Sequence, residues 1–235
     1  MRGEGALPIV YQDQACVAVA KPAGLLVHPV PQVREKDSVL RRLRDLLGRW
    51  VYPVHRLDRA TSGVLVMALS PGAAQELALA FREGRVEKRY HAIVRGWPEP
   101  EGEIDRPLKD REAGAMRPAL TRYRRLATAE LPIPVGPYPA ARYSLVEVRP
   151  VTGRTHQIRR HLSGISHPIV GDTLHGDGRH NRLFRDRLGI PGLLLHATAL
   201  AFPSPATGET VRVRAPFDER WEKAFSVLGW EDLPA

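Results

Sequence analysis

The chain has 235 residues, of which 43% are hydrophobic and 26% charged, a composition that is typical of a folded globular protein and excludes a largely disordered one. Its single cysteine excludes an intrachain disulfide framework, and no apolar run approaches the roughly 20 residues that cross a bilayer. The formal net charge of +9 favours a polyanionic partner such as a nucleic acid.

The N-terminal part of the chain predicts strands followed by one helix. Residues 8–20 alternate loosely and predict two strands around a turn at 13–15. The segment LLVHPV, residues 25–30, predicts a further extended stretch. Ser38 is a candidate cap for a helix over 37–48. The apolar face of that helix comprises Leu40, Leu43, Leu46 and Leu47.

The central part of the chain alternates between buried and polar segments. GVLVMAL, residues 63–69, predicts a buried strand, and a helix over 72–83 is closed by Gly84. KRYHAIVRG, residues 88–96, alternates as another strand. Residues 97–118 are polar and rich in proline and glycine, which predicts a long surface excursion.

The C-terminal part predicts more strands than helices. After a proline-rich break at 131–141, the predicted elements are a strand over 143–150, a turn into a short helix ended by Gly164, strands over 193–202 and 210–214, and a helix over 217–230. Many strands in succession favour an α+β fold, with a mixed but mostly antiparallel sheet and flanking helices. The absence of GxGxxG and GxxxxGK[ST] motifs disfavours a doubly wound nucleotide-binding fold.

The stretch HRLDRATSG, residues 55–63, carries the first candidate catalytic residue. Asp58 lies between Arg56 and Arg59, in a predicted loop that leads into a buried strand. A nearby cation favours the ionised form of a carboxylate, and an ionised carboxylate can act as a nucleophile. The alternative is a structural aspartate that does nothing but pair with an arginine.

The stretch GRTHQIRRHL, residues 153–162, carries the second candidate. On a helix Ile158 and Leu162 share an apolar face, so Arg159 lies where it could be half-buried, whereas Arg160 points elsewhere. A half-buried arginine requires a carboxylate, and Asp58 is a candidate partner. The alternative is a solvated basic face on an RNA-binding helix.

The histidines and serines of the chain do not form a recognisable metal site or hydrolase motif. Six histidines lie between residues 156 and 196, but there is no H-E-x-x-H motif, and the spacing places no two ligands on one helical face, so no metal is expected. No serine has a G-x-S-x-G context. Thirty of the 35 basic residues are arginine, which suits phosphate binding, although a GC-rich genome would also enrich arginine.

The motifs together resemble one enzyme family. HRLDRATSG is similar to the HRLDxxTSG signature of the RluA-type pseudouridine synthases, VAVAKPAGLLVH to their opening motif, KRYHAIVRG to the motif around their tyrosine, and VTGRTHQIRRHL with HPIVGD to their third block. GPYPAARYSLVEV and the LGW near the C-terminus most resemble the branch that modifies uridine 65 of tRNA. The match is weaker over residues 97–120.

The resemblance implies a role for each matched residue. Asp58 corresponds to the nucleophile, Arg159 to the arginine that pairs with it, Tyr90 to the tyrosine over the target base, and Arg56 to the residue that replaces the flipped nucleotide in the RNA stack. The residues expected to bind RNA are His55, Arg56, Arg59, Arg154 and His156. The fold implied is the pseudouridine synthase fold with a central RNA-binding cleft.

The resemblance also implies partners and context. We expect a single catalytic domain over residues 1–235 without an S4 module, acting on RNA as a cytoplasmic monomer with no cofactor. A large-subunit rRNA substrate, a non-catalytic RNA-binding domain and an N-glycosidase that releases free base are the alternatives.

Overall fold

The computed structural model describes residues 7–29, 37–110 and 114–230. The chain divides into two compact units, one formed by residues 1–88 and 197–216 and the other by residues 89–196 and 217–235. Val30, at the end of the predicted extended segment, and residues 111–113 of the predicted surface excursion lie outside the described residues.

The first unit is an antiparallel sheet with two helices. Its strands are β1 (Ile9–Gln12), β2 (Cys16–Lys21), β3 (Tyr52–Pro53), β4 (Ser62–Ala68), most of β11 (Leu195–Pro203) and β12 (Thr210–Arg214), and its helices are α1 (Val39–Leu47) and α2 (Pro71–Arg82). The strand order is β1-β2-β4-β11, with β12 beside β11 and β3 beside β4. Every residue of β4 is buried, and Val64, Val66 and Ala68 pack with side chains of β2 and α2 in one core.

The second unit is built on a longer antiparallel sheet. Its strands are most of β5 (Glu87–Arg95), β6 (Glu101–Asp105), β7 (Leu108–Lys109), β8 (Met116–Arg117), β9 (Leu120–Leu131) and β10 (Ala141–Pro150), and its helices are α3 (Gln157–Gly164), α4 (Gly178–Arg182), a π-helical turn (Leu183–Arg187) and α5 (Glu219–Leu228). The strand order is β5-β10-β9-β6, and β7 and β8 form a separate hairpin. Trp221 of α5 is fully buried in a core with Ile93, Tyr143 and Phe184.

The predicted α+β class with mostly antiparallel strands is confirmed. The predicted cap of α1 is confirmed, since Ser38 accepts a hydrogen bond from Arg41 N–H. Both helices lie within two residues of their predicted bounds, although Ser70, which was not predicted, caps the start of α2 and Glu83 rather than Gly84 caps its end. The predicted strands at 8–20, 63–69, 88–96, 143–150, 193–202 and 210–214 are all present.

Two expectations about local structure were wrong, and a third was incomplete. The described residues of 97–118 are mostly exposed, as predicted for a surface excursion, but they also hold β6, β7 and β8. In α1 the buried residues are Val39 and Leu43, whereas Leu46 is 59% exposed, so the apolar face is rotated from the predicted one. The LLVHPV segment forms a single β-bridge, between Leu26 and Ser38, and no strand within its described residues.

Within residues 7–29, 37–110 and 114–230, no helix is long and apolar enough to span a membrane.

Candidate active site

Asp58 lies in the first unit, in the segment between β3 and β4 (residues 55–61), here called the Asp58 loop. The loop is anchored from within, because the Leu57 side chain is buried and Thr61 N–H donates to the Asp58 carbonyl oxygen at 3.0 Å. Asp58 itself is half-buried, while Arg56 and Arg59 are exposed. The loop therefore holds a carboxylate at the surface of a rigid strand end, with two arginines beside it.

A buried lysine hydrogen-bonds to the backbone of this loop. Lys21, the last residue of β2, is 1% exposed, and its Nζ donates to the carbonyl oxygens of Pro22, Leu25 and Arg59 at 2.9, 2.8 and 3.1 Å. Gly24 N–H also donates to the Arg59 carbonyl, at 2.8 Å, and Arg59 Nε donates to the Gly24 carbonyl, at 2.8 Å. Three hydrogen bonds, all made at Arg59, thus hold the Lys-Pro-Ala-Gly turn and the Asp58 loop together.

The pKa of Lys21 is set by burial and by the charges of two neighbouring side chains. Burial lowers the pKa of Lys21 to about 7, the negative charge of Asp58 opposes that shift, and the positive charge of Arg59 adds to it. An ammonium group has three N–H donors, which matches the three carbonyl acceptors around Nζ. With a pKa of about 7 the lysine is roughly half-charged near neutral pH, and its charged form, whose three donors match these three acceptors, places a cation near Asp58.

Two contacts hold the His55 ring in place, one at a ring nitrogen and one on a face of the ring. Its Nε2 accepts a hydrogen bond from Val66 N–H at 3.0 Å, and its ring stacks on Phe81 with the centroids 4.5 Å apart. Burial lowers the pKa of His55 to about 3, and Lys88 adds to the shift. The imidazole is neutral and ties the start of the Asp58 loop to β4. The expected RNA contact of His55 stays a prediction.

Tyr90 and Arg159 lie in the second unit. Tyr90 is half-buried on β5, where it pairs with Val148 of β10. Arg159 is 6% exposed on α3, beside the buried Ile158, as the helical spacing predicted. Its Nε and Nη2 donate to the two carboxylate oxygens of Asp172 at 2.7 and 2.8 Å. The expected pairing of Arg159 with Asp58 stays a prediction.

The two remaining candidates, Arg154 and His156, lie just before the start of α3. Arg154 is exposed, and its Nε donates to the Pro118 carbonyl at 3.0 Å. His156 directly precedes the helix with a φ of 54°, a left-handed conformation that is uncommon for a residue other than glycine. Its Nδ1 lies 3.0 Å from Nε2 of His175.

The structure groups the predicted residues into two sets. The first unit brings together His55, Arg56, Asp58 and Arg59, and the second unit carries Tyr90, Arg154, His156 and Arg159. Lys21 and Asp172 were missed as individual residues, although both lie in segments that carried the family resemblance. The signal for Lys21 was a lysine at the end of an apolar strand, directly before Pro-Ala-Gly. Among the described residues, no three His, Cys, Asp or Glu side chains are placed to hold a metal ion.

The sequence and the fold of the chain were both found to be similar to those of known proteins. Residues 15–164 match the family model described as RNA pseudouridylate synthase. The fold is similar to that of the human RNA pseudouridylate synthase domain containing 1, with a TM-score of 0.73 and 28% sequence identity over 92% of this chain and 86% of that one. The chain belongs to the RNA pseudouridylate synthase family, whose members isomerise uridine to pseudouridine within RNA.

Two curated relatives refine the comparison. A Vibrio cholerae protein named tRNA pseudouridine synthase C is 48% identical over 96% of this chain and 97% of its own length. A Salmonella typhimurium protein of the same name is 47% identical over 97% of this chain and 92% of its own. The predicted RluA-type membership and the predicted isomerase class are both confirmed.

Proposed function

We propose that this chain converts uridine to pseudouridine in tRNA, at position 65, with Asp58 as the nucleophile. The observation that carries the choice of tRNA is the 48% identity, over nearly the whole of both chains, to a protein named for tRNA. The position follows from the resemblance of GPYPAARYSLVEV and LGW to the branch that modifies uridine 65. Because tRNA is modified in the cytoplasm, the enzyme acts there.

The reaction suits a single carboxylate. Isomerisation breaks the N1–C1′ bond of uridine, turns the base, and forms a C5–C1′ bond, with no net redox change or hydrolysis. An ionised aspartate can attack the sugar or the base and leave again, so the covalent step needs no external reactant. A neighbouring cation favours the ionised form of such a carboxylate, and Lys21 lies close enough to Asp58 for their charges to interact.

The arginines of the Asp58 loop have a different role. A uridine in a structured stem reaches a half-buried carboxylate only after extrusion, at a cost of roughly a few kcal/mol. Arg56 is exposed two residues before Asp58, so its planar side chain is placed to enter the vacated position in the RNA stack. Arg59, also exposed, is tied to Gly24 and supports the shape of the loop.

The residues of the second unit complete the proposal. Arg159 pairs with the nucleophile and keeps it charged. Tyr90 lies against the target base, where its hydroxyl removes the proton from C2′ if the reaction passes through a glycal. Both assignments rest on the family resemblance and on the positions of the two side chains, one half-buried on β5 and one buried on α3.

The decisive experiment compares the wild-type chain with D58N. Asparagine keeps the shape of the side chain but loses its charge and nucleophilicity, so we expect pseudouridine to disappear while tRNA binding persists. Purified tRNA and rRNA, each lacking pseudouridine, are incubated with either protein, and the modified position is mapped by primer extension.

Each alternative function has its own outcome in this experiment. Pseudouridine in rRNA but not in tRNA would contradict the substrate, and free uracil would indicate an N-glycosidase. D58N turnover above a tenth of the wild-type rate would contradict the nucleophile. Binding without any product from the wild-type chain would indicate a non-catalytic RNA-binding protein.

A further inference from the structure

A buried ion pair fixes one edge of the Arg159 guanidinium. Arg159 and Asp172 are 6% and 2% exposed, and their two parallel contacts, at 2.7 and 2.8 Å, use Nε and Nη2 of the arginine. A paired fork of this kind fixes both the distance and the plane of the guanidinium. The Nη1 group therefore points to the side opposite Asp172.

Asp172 is itself held in place by the segment that carries it, the turn Gly171–Gly176. Its Oδ1 also accepts hydrogen bonds from the backbone N–H groups of Leu174 and His175, at 2.9 and 3.0 Å. Burial alone would raise the pKa of Asp172, but the hydrogen bonds from Arg159 and from the backbone outweigh burial and hold that pKa below its usual value. Asp172 is therefore a fixed anion before any substrate arrives.

The backbone of the same turn is anchored to its surroundings. Asn181 of α4 donates from Nδ2 to the Asp172 carbonyl and accepts at Oδ1 from Gly171 N–H, both at 2.7 Å. At Gly171, φ is +81° and an added Cβ would lie 1.8 Å from the Gly192 carbonyl oxygen, so only glycine fits. These contacts leave the turn little freedom to shift.

A second contact joins the turn to the start of α3. His175 Nε2 lies 3.0 Å from His156 Nδ1, and His156 has the left-handed φ of 54° directly before the helix. A non-glycine residue in that conformation costs free energy and persists only where its surroundings enforce it. The turn therefore contacts both His156, directly before α3, and Arg159, within the first turn of the helix.

We propose that Asp172 is a positioning residue, which fixes the orientation of the Arg159 guanidinium on which the proposed reaction depends. The inference rests on the proposed function, since it needs Arg159 to pair with Asp58. Asp172 touches neither substrate nor the reacting atoms and acts only through Arg159. A displacement of a reacting group by about 1 Å can lower a rate by about 100-fold, which is the scale expected here.

The test is a double-mutant cycle on single-turnover rates with tRNA. We expect D172N to be slower than wild type by about 100-fold, with tRNA affinity unchanged within about threefold. R159A should be at least as slow. Because Asp172 acts through Arg159, the double variant R159A/D172N should be no slower than R159A alone, whereas independent effects would multiply.

The matched control is a second Arg–Asp pair in the same unit. Arg185 Nε and Nη2 donate to the two carboxylate oxygens of Asp186 at 2.6 and 3.0 Å, the same two donors that Arg159 uses, and this exposed pair has no role in the proposed site. D186N should turn over within about threefold of wild type. A loss as large as that of D172N would mean that any ion pair in this unit supports the rate, and would overturn the proposal.

Loss of folding is separated from loss of positioning by a second variant. D172N leaves Arg159 buried without its partner charge, so D172E, which keeps the charge but moves the carboxylate by one methylene, is measured beside it. Melting curves of both are recorded, and rates are taken well below the melting temperature. Folded D172E that is at least tenfold slow supports positioning.

Four results would overturn the inference or its basis. Folded D172N or D172E at the wild-type rate would make the pair irrelevant to catalysis, and failure of both to fold would make it purely structural. R159A at the wild-type rate would refute the role of Arg159. Absence of pseudouridine with the wild-type chain would refute the proposed function, which is a separate result.

Discussion

At the scale of the residue, Tyr90 is the most direct test of the chemistry. It lies half-buried on β5, where a strand tyrosine could act as a base or could pack its ring and bond its hydroxyl elsewhere. Y90F keeps the ring and deletes only the oxygen. If the hydroxyl removes the C2′ proton, turnover should fall by at least about 100-fold, within the range of general base catalysis.

The measurement for Y90F is single-turnover pseudouridine formation beside tRNA affinity. Unchanged affinity with a large loss of rate identifies a group that acts in the transition state. A rate within a few-fold of wild type would leave Tyr90 as a stacking surface, and the base would lie elsewhere.

Single residues also mark what the sequence could and could not reveal. Asp58 stands out because its neighbours form a specific motif, and Arg159 because helical spacing places it beside an apolar face. Lys21 and Asp172 gave no comparable signal. Their importance comes from burial and from partners 38 and 13 residues away along the chain, and such contacts are not visible in the spacing of residues.

At the scale of the element, Gly63 shows how β4 is fitted to its neighbour. Gly63 has a φ of +113°, and an added Cβ would lie 2.2 Å from the Ala197 carbonyl oxygen. In G63A the methyl group meets backbone that cannot move aside, and the left-handed conformation becomes strained. We expect a loss of about 3 kcal/mol or more in the free energy of unfolding, from strain and overpacking together.

Gly24 provides the control for this substitution. Its φ is +87°, but nothing lies within 4 Å of an added Cβ, so G24A has the strain without the clash. We expect it to cost about 1–2 kcal/mol. Urea denaturation measures both variants, and equal losses would show that close packing at Gly63 adds nothing.

Elements with strong local signals were predicted well, and weakly patterned elements were not. A capping serine located the start of α1, and Gly84 marked the end of α2 to within two residues. The strand β9 was missed because its sequence, LTRYRRLATAEL, has no apolar run and only Thr121 is buried. Its order comes from pairing with β10 and β6, which is a long-range effect. The short α4 and the π-helical turn likewise gave no periodic signal.

At the scale of the whole molecule, buried histidines couple folding to pH. Burial lowers the pKa of His91 to about 4, with Glu147 opposing the shift and His196 and Arg89 adding to it. The pKa of His55 is lowered to about 3. Each unit of the fold therefore contains a histidine that is neutral at every pH at which the protein is expected to work.

The sign of the pH effect follows from the unfolded state. There each histidine has a pKa of about 6.5, so below that pH the unfolded chain binds protons that the folded chain does not. The stabilisation is complete above about pH 6.5 and is lost as the pH falls toward the folded pKa values. Between pH 7 and pH 5 the free energy of unfolding should drop by about 2–4 kcal/mol.

Urea denaturation at several pH values between 5 and 7.5 checks this expectation, and H91Q identifies one contributor. Glutamine cannot take up the proton, so between pH 7 and pH 5 the variant should lose about 2 kcal/mol less than wild type, even if its stability at pH 7 is already lower. A wild-type free energy of unfolding that is constant from pH 7 to pH 5 would mean that both imidazoles are readily protonated in the folded protein. In that case Nε2 of His55 could no longer accept the hydrogen bond from Val66 N–H, which ties the start of the Asp58 loop to β4.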